Sequence, residues 1–401
     1  MRILLLASAF NGLTQRISRE LTILKHNVAV ELAIDAATME EAVTLFAPDV
    51  IICPFLKQRI PDSIWRKHVC LIVHPGIEGD RGPSSLDWAI MRGEAAWGVT
   101  VVQAAEQMDA GDIWGTAQFP LRQASKGSIY RREITAEAVR LVLQAVTDFT
   151  TEGFKPRQLD YGNAQVTGQW NRPVKREDRL IDWQADATDI VLAKINAADG
   201  APGVVDQIGR RPFHLYGAHR AIGLRGKPGD LLARNHGAVC RATVDGAVWI
   251  SHLKPVANDS VTFKGVKLPA MHWLADSSAD LKAFDTDALN SKDIGCNEIR
   301  YREVGEIGYL HFDFYNGAMS TAQCERLRRV LMRIKQRAVK IIVLMGGDEF
   351  WSNGVHLNNI EAAIAPADES WRNINAINDV VREIITTDKQ LTVAALRTNA
   401  G

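Results

Sequence analysis

Residues 74–116 read HPGIEGDRGPSSLDWAIMRGEAAWGVTVVQAAEQMDAGDIWGT. A histidine closes the apolar run VCLIVH (69–74), a glycine-rich loop follows, and an aspartate sits in the turn MDAGD (108–112), roughly one βα unit later. The apolar run has the length of a buried strand. SSLDWAIMR (84–92) reads as a helix that Ser84 caps, that Asp87 completes as a capping box and that Gly93 stops. GVTVVQAA (98–105) is the next strand. The stretch is therefore strand, loop, helix, strand and turn.

Upstream the same rhythm continues, with strands expected at RILLLAS (2–8), VAVELAI (28–34) and VIICPF (50–55). Downstream, IWGTAQFPL (113–121) is a further β segment and TAEAVRLVLQAVTDFTTEG (135–153) is a closing helix. Apolar runs alternating with helical segments predict an α/β fold on a parallel sheet covered on both faces.

In such a sheet ligands bind beyond the carboxyl ends of the strands, so His74 at a strand end and Asp109 after another strand can converge on one crevice. Each also has a plainer reading. His74 can be a hydrogen-bonded loop residue, and Asp109 can serve only its own turn through Asx bonding. Arg81, flanked by glycine in GDRGP, is either an anion partner, for a phosphate or a carboxylate tail, or a solvated loop charge.

Composition excludes several classes. With 46% hydrophobic and 23% charged residues in 401, the chain is an ordinary globular protein of two or three domains. The 47 basic and 47 acidic residues cancel, which leaves no net field to attract nucleic acid or an acidic membrane. Five scattered cysteines without a CxxC pair suggest neither a disulfide framework nor a zinc site. A reducing cytoplasm fits them best, and the opening MRILLLASAF is too short to span a membrane.

The order strand, HPG, loop ending RGP, helix, GVTVVQ and MDAGD resembles the catalytic domain of the 10-formyltetrahydrofolate-dependent formyltransferases, over about residues 1–155. That resemblance implies a Rossmann-like sheet in which His74 and Asp109 serve formyl transfer, with Arg81, Gly82 and Gly111 as candidate folate- or CoA-binding residues. Attack on a formyl carbon creates an oxyanion that a protonated imidazole can stabilise, and Asp109 could hold that imidazole charged. The family places an asparagine two residues before the histidine, where this chain has Ile72. The lost oxyanion donor points either to a better nucleophile, such as a thiolate, as acceptor, which is the preferred reading, or to a domain that binds folate without efficient transfer.

Residues 156–275 carry a polar linker and short β-like runs such as RPFHLYGAHR and AVCRATVDGAVWISHLKP. RLIDW and GAVWISHLKP resemble the linker and small β-barrel of methionyl-tRNA formyltransferases, although a generic β domain is the alternative. Beyond an Asp- and Ser-rich run (276–292), residues 296–401 read as strand, helix capped by Ser320 with Gln323, strand, then a loop into a helix. With GGDEFWSNGVHL (346–357) that order resembles the enoyl-CoA hydratase/isomerase (crotonase) family. By position Gly354 and Val355 would form half of an oxyanion hole and line a CoA site, with His356 where that family usually has aspartate. The pattern would supply its second oxyanion glycine just where VAALRTNAG ends, so about half of this third, crotonase-like α/β domain is expected here.

A formyltransferase part joined to a crotonase part resembles the HypX (HoxX) hydrogenase maturation factors. The resemblance implies formyl transfer from 10-formyltetrahydrofolate to coenzyme A, decarbonylation of formyl-CoA to CO, and a [NiFe]-hydrogenase large subunit or its maturation complex as partner. Neither a metal, a nucleic acid nor a membrane enters that reading. Two rivals remain: a formyltransferase acting on an amine of aminoacyl-tRNA or a sugar nucleotide, and a non-catalytic folate- or CoA-binding scaffold.

Overall fold

The computed structural model describes residues 1–200, 202–256, 265–275, 281–284, 286–289 and 295–400. Part of the expected barrel (257–264), part of the Asp- and Ser-rich run and Gly401 lie outside the described residues. Contacts divide the chain into two units, Met1–Arg179 with Asn196–Gly200, and Leu180–Ile195 with Ala201–Gly401.

The first unit is built on six strands, β1 (Arg2–Ala7), β2 (Asn27–Leu32), β3 (Val50–Cys53), β4 (Cys70–His74), β5 (Ala96–Gln103) and β6 (Ile113–Pro120), ordered β2-β1-β3-β4-β5-β6. Successive residues of a strand point to opposite faces. Ile3 and Leu5 accordingly join one core with helices Gly12–Ile23, Ser85–Arg92 and Thr135–Phe149, while Leu4 and Leu6 join another with Ala36–Phe46 and Asp62–Trp65. Both faces are covered, as expected.

The expectation of a parallel sheet holds only for β1 to β4. Strand β5 runs antiparallel to β4, pairing Thr100 with His74 and Gln103 with Leu71, and β6 runs antiparallel to β5. The cause is the eight-residue helix Ser85–Arg92. It ends at Gly93, whose φ of 67° is the left-handed stop, and β5 enters from the end where β4 leaves. The helix therefore never recrosses the sheet. The expected capping box is also absent: Ser84 makes no side-chain cap. Its hydroxyl accepts the Val174 N–H at 3.1 Å, while Asp87 pairs with Lys126 and Arg179.

Residues 156–179, expected to open the next domain, instead belong to the first unit. They form a strap over the loop after β4. Gly168 N–H donates to Glu78 O (3.2 Å), Arg81 N–H to Gln169 O (3.1 Å) and Asn171 N–H to Arg81 O (2.9 Å). The Tyr161 hydroxyl donates to Gly79 O at 3.1 Å.

In the second unit β7 (Val204–Ile208), β8 (Arg211–Arg220), β9 (Leu231–Asn235), β10 (Ala238–Ala242), β11 (Ala247–Pro255), β12 (Leu268–Pro269) and β13 (Lys282–Ala283) form one sheet ordered β13-β9-β10-β11-β8-β7, with β12 on β11. The expected β runs fall on β8, β10 and β11. No pairing among the described residues closes this sheet into a ring. The same unit holds a sheet ordered β14-β15-β16-β18, from β14 (Ile299–Val304), β15 (Ile307–Phe312), β16 (Ile341–Gly346) and β18 (Leu391–Ala394), and a two-stranded pair of β17 (Phe350–Ser352) with β19 (Asn399–Ala400). Helix Thr321–Ile334 connects the parallel β15 and β16, and its capping box joins Ser320 and Gln323 as expected.

The strap tests this account of the first unit. A Cβ on Gly168 would lie 2.0 Å from Asp80 N and 2.4 Å from Glu78 O, both backbone atoms. Gly168→Ala is therefore expected to lift the strap and to cost roughly 1–3 kcal/mol, read as a lower thermal midpoint. An unchanged midpoint would show that the strap does not hold the loop.

Candidate active site

Strand alternation places Cys70, Ile72 and His74 on one face of β4 and Leu71 and Val73 on the other. Ile72 packs with the apolar cluster of Cys70 and Ala104, so no side-chain donor stands two residues before the histidine. His74 ends the strand 4% exposed. The loop that follows bends back over it and brings Asp80 Oδ2 to 2.9 Å from His74 Nε2. Only glycine can stand at position 76, because a Cβ there would lie 2.5 Å from His74 Nε2 and 2.6 Å from Asp80 Oδ2.

Asp80 is itself 2% exposed. Its Oδ2 also accepts from the Ser85 hydroxyl, and its Oδ1 accepts from Asn171 Nδ2 at 2.9 Å. Asn171 Oδ1 in turn accepts from Arg92 at 2.7 Å. A buried carboxylate is tolerated when its lone pairs are filled in this way.

Asp109 arrives by a route other than the expected one. Because β5 is antiparallel, its carboxyl end lies beside Leu71, and the loop beyond must return to reach His74. Two backbone features allow this. Asp109 adopts φ 54°, a left-handed conformation that aspartate tolerates better than most residues. Gly111 packs so closely that a Cβ would lie 1.9 Å from Gln103 O. The Asp109 carboxylate accepts the Gly82 N–H, 27 residues away, at 3.3 Å, and its Oδ2 lies 3.5 Å from His74 Nδ1. Among the described hydrogen bonds none ties this carboxylate to its own turn, so Asx bonding does not account for it.

His74, Asp109 and Gly82 are thus brought together, with Gly111 in the turn that carries Asp109 and Arg81 beside Gly82 in the loop. Gly82, at φ 111°, has no room for a Cβ, which would lie 2.1 Å from Asn171 O. The Arg81 guanidinium lies 5.4 Å from the centre of the Tyr161 ring, and its Nε is buried without a hydrogen-bond partner among the described residues. Asp80, Ser85 and Asn171 escaped the sequence reading. The one available signal was the spacing of Gly76, Gly79 and Gly82, which marks a loop closed tightly around something.

The other candidates form a separate locus in the second unit. Gly354 has φ 70°. Its N–H donates to Ser352 Oγ at 3.1 Å and its carbonyl accepts Met319 N–H at 2.9 Å, so that N–H is already engaged. Val355 bridges to Met319. His356, 6% exposed, accepts the Asn359 N–H through Nδ1 at 3.2 Å and caps helix Leu357–Glu361. Its ring is parallel to that of His252, with centroids 6.5 Å apart.

Burial of His74 opposes its charge, but the Asp80 hydrogen bond and the charges of Asp109 and Asp80 outweigh it and raise its pKa above 6.5. A group whose folded value is raised adds stability that is complete below its unfolded value and is lost as pH rises through the folded one. The stability difference between the parent and His74→Gln, from urea unfolding between about pH 5.5 and about pH 9, is therefore expected to shrink as pH rises. A flat or growing difference would contradict the charge assigned to the ring.

Known proteins share this frame. The Formyl transferase family matches residues 16–146, and the Formyl transferase, C-terminal domain family matches residues 173–266. Hydrogenase maturation factor HoxX of Bradyrhizobium diazoefficiens is 48% identical over 401 residues, covering 100% of this chain and 68% of that protein. Methionyl-tRNA formyltransferase of Deinococcus radiodurans is 29% identical over 178 residues, 44% of this chain and 53% of that one. The crystal structure of HypX from Aquifex aeolicus in complex with tetrahydrofolic acid superposes with a TM-score of 0.93 at 46% identity, over 100% of this chain and 69% of that one. Among the described residues no helix is long and apolar enough to cross a membrane. The match to HoxX along the whole of this chain, with formyltransferase domains beneath it, places the chain in the HoxX/HypX family of hydrogenase maturation factors.

Proposed function

We propose that the chain transfers the formyl group of 10-formyltetrahydrofolate to coenzyme A at the His74–Asp109 site. The observation that carries this reading is the approach of His74 Nδ1 to the Asp109 carboxylate at 3.5 Å, both nearly buried. That pair can take the proton of an attacking thiol as the bond to the formyl carbon forms, and can return it to the folate nitrogen as the C–N bond breaks. The products are tetrahydrofolate and a formyl thioester, with no net change in protons. The Gly82 N–H orients Asp109. Gly111 keeps the turn closed, and the Arg81 guanidinium supplies a positive charge for an anionic group of folate or CoA. A thiol, with a pKa of about 8.5, reaches its anionic nucleophile near neutral pH more readily than an alkyl amine of pKa about 10 loses its proton, which suits a site that has Ile72 in place of a donor. Support also comes from the tetrahydrofolate complex of the Aquifex relative.

On the same reading the division of labour runs over three segments: a formyltransferase-like catalytic part (1–155), a linker and C-terminal-like part (156–275), and the start of a crotonase-like part (296–401). The last would contribute Gly354 and Val355 to the decarbonylation of formyl-CoA in the cytoplasm, with the Gly354 N–H exchanging its bond to Ser352 Oγ for one to the carbonyl, and the CO would go to a [NiFe]-hydrogenase large subunit.

Mass spectrometry after incubation with 10-formyltetrahydrofolate and CoA is expected to detect formyl-CoA. A formylated amine formed in preference, or no product with any acceptor, would replace this reading by one of its rivals. His74→Ala is expected to lower turnover by at least about a hundredfold, and Asp109→Asn to do similar damage without loss of the turn, since it removes charge and not volume. Parent turnover in either variant would remove that residue from the reaction.

A further inference from the structure

The two nitrogens of His74 both face carboxylates, yet the contacts are unlike. Nε2 stands 2.9 Å from Asp80 Oδ2, within hydrogen-bond range, whereas Nδ1 stands 3.5 Å from Asp109 Oδ2, beyond a good N–H···O distance. Asp80 is saturated, with Ser85 on Oδ2 and Asn171 on Oδ1, and its side chain is 1% exposed. Asp109 holds only the long bond from Gly82 among the described hydrogen bonds. Asp80 and Asp109 are the charged groups that face the ring, one from the loop after β4 and one from the turn after β5.

The loop is shaped around the first contact. Gly76 has no side chain because a Cβ would strike both His74 Nε2 and Asp80 Oδ2, and Gly168 of the strap has none because a Cβ would strike Asp80 N. Strand β4 with the Gly76–Gly82 loop that follows it, and the strap some 91 residues further along, thus converge on one hydrogen bond. An ionised carboxylate offers only acceptors, so the proton of this bond belongs to Nε2.

We propose that Asp80 is a positioning residue for the reaction: it holds the Nε2–H of His74, turns Nδ1 toward Asp109, and makes Nδ1 with the Asp109 carboxylate the pair that exchanges a proton with the acceptor. A histidine reacts through whichever nitrogen its orienting partner leaves open. With Nε2 occupied, only Nδ1 is left to face the acceptor, and its part is proton transfer. That part rests on the formyl-transfer reading above, whereas the tautomer of the ring rests on the geometry alone.

The test is nitrogen NMR of protein carrying 15N-histidine, with the His74→Gln spectrum identifying the signals of His74 among the 10 histidines. Above its titration midpoint His74 is expected to carry its proton on Nε2, with Nδ1 bare. Asp80→Asn, which keeps the shape and removes the charge, is expected to lower the His74 midpoint, to move the matching break in the pH profile of kcat/KM the same way, and to slow turnover by about 10- to 100-fold. A proton on Nδ1 in the parent, or a midpoint and pH break unmoved in Asp80→Asn, would overturn the proposal. Should Asp80→Asn not fold, the parent tautomer decides alone. The expected tautomer in a protein that transfers no formyl group would leave the positioning by Asp80 standing and remove the formyl-transfer reading.

Discussion

The hydrogen bond between His74 and Asp80 is the constraint around which the first unit is arranged. A carboxylate this deeply buried costs several kcal/mol in lost hydration, and the cost is tolerable only because both of its oxygens meet donors. Those donors come from β4, from the start of helix Ser85–Arg92 and from the strap at Asn171. The bond therefore ties together the strand end, the loop and a segment 91 residues further along the chain. Removing one member would leave the others as buried polar groups without partners, which is more costly than losing the bond itself.

The same arrangement explains why the loop after β4 is rich in glycine. At position 76 a side chain would collide with the bond, and at position 82 with the strap. Once the loop is held, Gly82 presents its N–H to Asp109, and Asp109 is set at a distance from His74 that leaves the Nδ1 side less tightly bound than the Nε2 side. The Nε2 edge of the imidazole is thus the tightly held one, and Nδ1 the loosely held one. The residue that differs from the wider formyltransferase pattern, Ile72, lies on the same face of β4 as the histidine and packs in the core. The loss of a donor there is consistent with a site that moves protons for a thiol acceptor.

Much of this was legible from residue patterns. The strands were, since runs such as RILLLA and CLIVH bury nearly every residue, and so was the Ser320–Gln323 cap, a purely local device. His74 and Asp109 could be paired because each stands beside a strand. Strand direction could not be read, because an eight-residue helix that stays at one end of the sheet looks like one that crosses it. Nor could Asp80, which lies in a loop without periodicity and whose amide partner is Asn171. Ser84 and Asp87 misled for the related reason that a capping pattern is local, while their actual partners, Val174, Lys126 and Arg179, are distant.

That His74 and Asp109 work as one unit is the central claim, and a double-mutant cycle on kcat/KM for formyl transfer tests it most directly. If the two share one proton, the variant with both His74→Ala and Asp109→Asn should be no slower than the slower single variant, since residues that act together are strongly non-additive. Losses that multiply in the double variant would show two independent residues and contradict the account.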